Sequence, residues 1–112
     1  MSDVPGYKND QGKTRWGLLG YKAIEEIANV MTFGANKYAP YNWAKGMSYE
    51  RVFSALQRHL VAWYNGEDLD GETGLNHLAH AGCCLMFLLS YQLWGYDEFD
   101  DRPHKIIVKK VE

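Results

Sequence analysis

Cysteine is nearly absent from this 112-residue chain: there are two, Cys83 and Cys84, side by side. Neighbouring residues on a helix point about 100° apart and do not bridge readily, so no disulfide framework is expected. Free, buried thiols and a reducing compartment follow. An excess of one charge is missing too. Twelve Lys and Arg face fourteen Asp and Glu, a net charge of -2, which leaves no electrostatic footprint for stable nucleic-acid binding. The longest nearly apolar run, 81–89, falls far short of the roughly 18 residues of a membrane span. The opening MSDVPGYKNDQGKTR is too polar for a secretory leader. There is no P-loop, GxGxxG, nucleophile elbow, zinc-finger spacing or internal repeat. These absences point to a cytoplasmic protein with no membrane partner, and residues 1–112 are long enough for one domain.

What is present is helical periodicity. Leu19, Ala23, Glu26, Val30, Phe33 and Lys37 recur at steps of four and three, one face of a helix that Pro40 ends by residue 38 or 39. Glu26 is thus a carboxylate on an otherwise apolar face, either a partly buried surface residue or one that needs a cation. A second helix opens at Ser48, a good N-cap, and carries Val52, Ala55, Leu56, His59, Leu60 and Trp63 as its stripe. Asn65-Gly66 stops it. A third begins near residues 74–76 and runs to about 96, apolar all round from 79 to 89, which predicts the central, most buried helix. The fold class is all-α: helical hairpins assembling into a four-helix-bundle-like core, completed by pairing as a homo-dimer or tetramer. The tail 104–111 reads equally as a strand, a frayed helix end or a docking segment.

The chain is organised around RHLVAWYNGEDLDGETGLNHLAH, residues 58–80. His59 closes the second helix, and His77 and His80, three apart, share a face of the third. The acidic connection between them holds Glu67, Asp68, Asp70 and Glu72. Together with Glu26, the residues His59, Glu67, Asp70, His77 and His80 form a candidate metal set. Hard oxygen donors favour Mg²⁺ or Mn²⁺, and imidazole shifts the preference towards Mn²⁺ or another transition metal. Each part has an ordinary alternative, since lone histidines are often structural and acidic loops are often solvated turns. Lys13 and Arg15 beside Trp16 form either a solvated arm pinned by the ring or a phosphate-reaching one. Lys37, Tyr38, Asn42 and Trp43 offer a stacking face and a purine-reading edge, or rings that cap the core. Arg51 and Arg58, seven apart, add cations on one side of the second helix. This combination points to metal-assisted attack of water on a polyphosphate. Another metal-dependent phosphohydrolase and a non-enzymatic helical interaction module are the alternatives.

Four stretches in order, GKTRWGLL, FGANKYAPYNW, ALQRHLVAW and GEDLDGETGLNHLAHAGC, resemble the phage-type dATP/dGTP diphosphohydrolase domain. That family is a relative of the MazG-like all-α pyrophosphohydrolases, and the resemblance spans about residues 8–92. It implies hydrolysis of a purine deoxynucleoside triphosphate to the monophosphate and pyrophosphate with a divalent metal, in a phage protein acting in host cytoplasm. It also implies Glu26, Glu67 and Asp70 as catalytic carboxylates. The wider MazG-like pattern is E-E-x-x-E followed by E-x-x-D. Here Glu25-Glu26 is followed by Asn29, and Glu67-Asp68-Leu69-Asp70 meets the second motif in a loop. If the third helix fills that place instead, His77 and His80 replace the acids.

Overall fold

The structure, a computed structural model, describes residues 4–106. Among the described residues three α-helices of several turns form: α1 (Tyr21–Lys37), α2 (Tyr49–Tyr64) and α3 (His77–Trp94). Single 3₁₀ turns at Trp16–Leu18, Asn42–Lys45 and Asp97–Phe99 join or extend them. Among the described residues there is no strand, only an isolated antiparallel bridge between Leu69 and Asn76. The all-α expectation holds.

Local chemistry sets the ends. The Ser48 hydroxyl accepts from the Arg51 N–H at 3.4 Å at the start of α2. At the other end Gly66 takes a φ of 99°, which a side chain would resist. Asn76 caps α3 by accepting from the Leu78 N–H at 2.9 Å, and Gly95 closes it in the left-handed conformation. The first helix opens at Tyr21, two residues later than the apolar pattern suggests, because Leu19 is extended.

Helix α3 lies against both others. One core cluster joins it to α2 through Tyr49, Val52, Leu56, Ala81, Cys84 and Tyr91. A smaller one, Val30, Ala79 and Cys83, joins it to α1. At that second seam Gly82 has no side chain to spare: a Cβ there would stand 2.6 Å from Ile27 Cδ1. As expected, α3 is the central, most buried helix: His77, Ala79, Ala81, Cys83, Cys84 and Tyr91 are buried on it, against three residues on α2 and one on α1. Leu78, Leu85, Leu89 and Leu93 form an exposed stripe, because α1 and α2 cover only part of its circumference. The two cysteines are free and buried as expected, and burial pushes the Cys83 thiol up to about 12.

The segment between α1 and α2 is clasped by the segment after α3. Trp43 stacks on Phe87 and Trp94 with ring centres 4.9 and 5.5 Å apart. The hydroxyl of Tyr91 donates to the Trp43 carbonyl at 2.6 Å, and that of Tyr96 to the Ala44 carbonyl at 2.9 Å. Phe99 fills the space beside Gly46, where a Cβ would fall 2.1 Å from the ring. Asp101 then accepts from the Glu50 N–H at 2.9 Å and from the Ser48 hydroxyl. The acidic stretch 97–102 is therefore a fastening rather than an idle loop. Residues 103–106 add a helical turn, and the rest of the expected tail, 107–111, lies outside the described residues.

The opening arm does not fold back. Residues 4–20 are exposed throughout, and Trp16 keeps 68% of its surface in solvent, so the ring does not pin the arm. The Cα radius of gyration is 19.0 Å, where a compact chain of this length would have about 13 Å.

Candidate active site

The connection between α2 and α3 is built, not merely solvated. The Asp70 N–H donates to the Leu75 carbonyl and the Gly74 N–H to that of Asp70, both at 2.8 Å. The His77 N–H donates to the Asp68 carbonyl at 2.9 Å. These bonds fold the acidic loop back on the start of α3 and bring its side chains over the histidines.

His59, Asp70 and His77 converge there, with one potential ligand atom from each lying within 4.8 Å of the others. The Nδ1 atoms of His59 and His77 are 2.9 Å apart, close enough for one proton or one cation to touch both. Glu67 stands beside them, its Oε1 3.3 Å from His77 Nε2. That pair is at ion-pair range, but the angle does not complete a hydrogen bond, and Nε2 is a buried nitrogen without a formed partner. A protonated Nε2 facing Glu67 leaves His77 Nδ1 as a lone pair directed at the cluster. The donor set suits Mg²⁺ or Mn²⁺, with two imidazoles favouring the latter.

His80 is placed differently. Its ring lies flat against His59, centres 4.5 Å apart and 5° from parallel, and its Nε2 is 2.8 Å from the Thr73 hydroxyl. Burial lowers the pKa of His59, helped by His80 and His77 and opposed by Asp70. Burial also lowers that of His80. For Asp70, burial works to raise the pKa, but the Thr73 N–H and hydroxyl, then His80 and His59, outweigh it and hold the carboxyl below its usual range. The cluster thus combines a carboxylate with neutral imidazoles, the protonation states that bind cations.

A cleft of about 740 Å³ opens beside it, with His59, Asp70, Glu72, Thr73 and His80 on one wall. Lys37, Tyr38, Asn42, Trp43 and Arg51 line the other parts. Tyr38 is 66% exposed and carries the Lys37 ammonium over its ring, 5.2 Å from the centre, so an aromatic surface and a positive charge stand together at the cleft.

The family described as dATP/dGTP diphosphohydrolase, N-terminal, matches residues 3–102. The chain belongs to this family. A relative named dATP/dGTP diphosphohydrolase, from Salmonella phage PMBT28, is 42% identical over 108 residues. The match covers 96% of this chain and 37% of the relative, so the chain spans little more than a third of that protein's length. No solved structure matches.

Within this dATP/dGTP diphosphohydrolase N-terminal domain the sequence-predicted residues divide. His59, Glu67, Asp70 and His77 come together, and His80 joins them through Thr73. Glu26 does not: it is exposed on α1, with no ion pair among the described residues, because Ile27, Val30 and Met31 form the face that meets α3 and Glu26 lies about 100° round the helix from Ile27. Arg51 reaches the cleft, whereas Arg58 is exposed on α2 and does not line it. Lys13 and Arg15 line a separate hollow with Asp10 and Thr14. They lie beyond the opposite end of α1 from Tyr38, a helix of 17 residues and so about 25 Å long. Trp43 is chiefly a core-capping ring. Thr73 escaped the sequence reading; its signal was the spacing Asp70-x-x-Thr73, a common turn-capping pattern.

Proposed function

We propose that this domain hydrolyses purine deoxynucleoside triphosphates, dGTP and dATP, to the monophosphate and pyrophosphate, with Mg²⁺ or Mn²⁺ as cofactor. The observation that carries the reading is the pair of facing imidazole nitrogens of His59 and His77, 2.9 Å apart with Asp70 beside them, where His59 and Asp70 line a cleft and His77 is buried behind them. The name of the phage relative, dATP/dGTP diphosphohydrolase, supports the substrate class.

His59, Asp70 and His77 would hold the ion, with Glu67 orienting His77. The ion supplies charge neutralisation on phosphate and a more acidic water. The chain's own residues do the rest. Arg51 and Lys37 bring positive charge to the triphosphate, and Tyr38 and Asn42 offer a face and an edge to the base. In the reaction a water oxygen bonds to the α-phosphorus, the bond to the bridging oxygen breaks, and pyrophosphate leaves. Lys13, Arg15 and Trp16 do not line this cleft, and Lys13 and Arg15 border a separate hollow before α1. Their service to phosphate therefore requires the arm to move or to reach a second copy.

Assembly forms the second part of the proposal. The leucine stripe on α3 favours a homo-dimer or tetramer that buries it. No helix among the described residues is long and apolar enough to cross a membrane.

A nucleotide-panel assay that resolves pyrophosphate from orthophosphate tests the function. Pyrophosphate from dGTP and dATP, abolished by chelator and restored by Mn²⁺, is the expected result. Orthophosphate as first product points to another phosphohydrolase. Neither nucleotide binding nor turnover in the presence of Mn²⁺ leaves the interaction module.

A further inference from the structure

The hydroxyl of Thr73 has one proton and two lone pairs, and it meets three polar neighbours. The Leu75 N–H donates to it at 3.1 Å, Asp70 Oδ2 lies at 3.0 Å, and His80 Nε2 lies at 2.8 Å. The backbone N–H donor can use only a lone pair. An ionised carboxylate oxygen can only accept, so the hydroxyl proton goes to Asp70. One lone pair remains for His80, and His80 must then donate from Nε2. The opposite arrangement, with the hydroxyl donating to Nε2, would set an oxygen lone pair against the carboxylate at 3.0 Å with no proton between them. Only one assignment places a proton in every contact.

We propose that Thr73 is a positioning residue: its hydroxyl holds His80 as the Nε2–H tautomer while fixing the Asp70 carboxylate beside the imidazole pair. The Thr73 N–H reinforces the second task, since it donates to the same Asp70 oxygen at 3.0 Å. His80 keeps Nδ1 as its acceptor, and its ring forms the flat backing against which His59 rests. One side chain thereby sets two members of the cluster, and both line the cleft. The functional consequence rests on the proposed hydrolase reading; the tautomer does not.

The experiment is ¹⁵N NMR of the His80 ring in the full chain, joined to kinetics with dGTP and Mn²⁺. In the wild-type protein, Nε2 should carry the proton and Nδ1 should show the shift of an unprotonated nitrogen. Thr73→Val should abolish that bias and lower kcat by about 10–100-fold, the usual cost of losing a group that orients a site residue, with KM little changed. Thr73→Ser, which keeps the hydroxyl, should restore both. A wild-type His80 protonated at Nδ1 overturns the proposal, as does a Thr73→Val protein with unchanged tautomer and turnover. If Thr73→Val does not fold, the wild-type spectrum and Thr73→Ser still decide. A wild-type protein inactive on deoxynucleoside triphosphates fails the hydrolase reading alone, because the spectrum reads the tautomer without turnover.

Discussion

At the scale of single residues, the cluster stores neutral imidazoles, and this sets how stability responds to acid. His59 and His80 have pKa values lowered first by burial, so below about 6.5 the unfolded chain binds protons that the native one resists. Stability therefore rises with pH through that window and is lost as pH falls. Asp70 adds a loss of the same sign at lower pH, as its depressed carboxyl is finally protonated. Melting temperatures measured from about pH 8 down to 5 should fall, and a flat profile would contradict the assignment. Manganese should raise the melting temperature of the wild type. His77→Ala should remove most of that rise, with metal affinity reduced 10-fold or more by calorimetry. Trp43 and Tyr38 should separate cleanly. Trp43 is stacked on two rings, so Trp43→Ala should cost about 3 kcal/mol in chemical denaturation, towards the lower end for a large aromatic. Tyr38→Ala should leave stability within about 0.5 kcal/mol and raise KM for dGTP roughly tenfold.

At the scale of elements, the weak points are backbone positions rather than contacts. Gly46 combines a φ of 99° with a phenyl ring where its Cβ would stand. Gly46→Ala should therefore cost about 2 kcal/mol or more and loosen the Asn42–Lys45 turn, seen as altered tryptophan fluorescence of Trp43. The helices themselves were legible in the sequence, because apolar spacing, the Ser48 cap and the Asn65-Gly66 stop are local signals. The convergence of His59 with the acidic loop was also foreseeable, since a short connection must return one helix end to the next. Three things were not. Periodicity revealed that Glu26 shares a face with apolar residues, but not that the contact with α3 runs through Ile27, Val30 and Met31 and leaves Glu26 outside it. The Asp101 fastening depends on residues about fifty positions apart, which no window of sequence relates. The aromatic loop reads the same whether a ring meets a base or another ring, and Phe87 and Trp94 decided it for Trp43.

At the scale of the whole molecule, the exposed leucines and the cleft occupy opposite sides of α3. At 100° per residue, Leu78, Leu85 and Leu89 lie about half a turn from His80, Cys84 and Phe87. A second copy can cover the stripe without closing the cleft. Sedimentation should give a dimer or larger assembly at micromolar concentration, and Leu85→Glu should shift it towards monomer with the dGTP KM unchanged; a wild-type monomer would contradict this. The clasp over residues 43–50 has a consequence for timing. Its partners, Tyr91, Tyr96 and Asp101, are made some fifty residues after the segment they hold. On the ribosome, α2 and the histidine loop can pack before those partners emerge, but the aromatic wall of the cleft cannot set. The histidine and carboxylate half of the cleft is thus assembled early, and the aromatic half is completed only when the chain's later aromatic residues return to it.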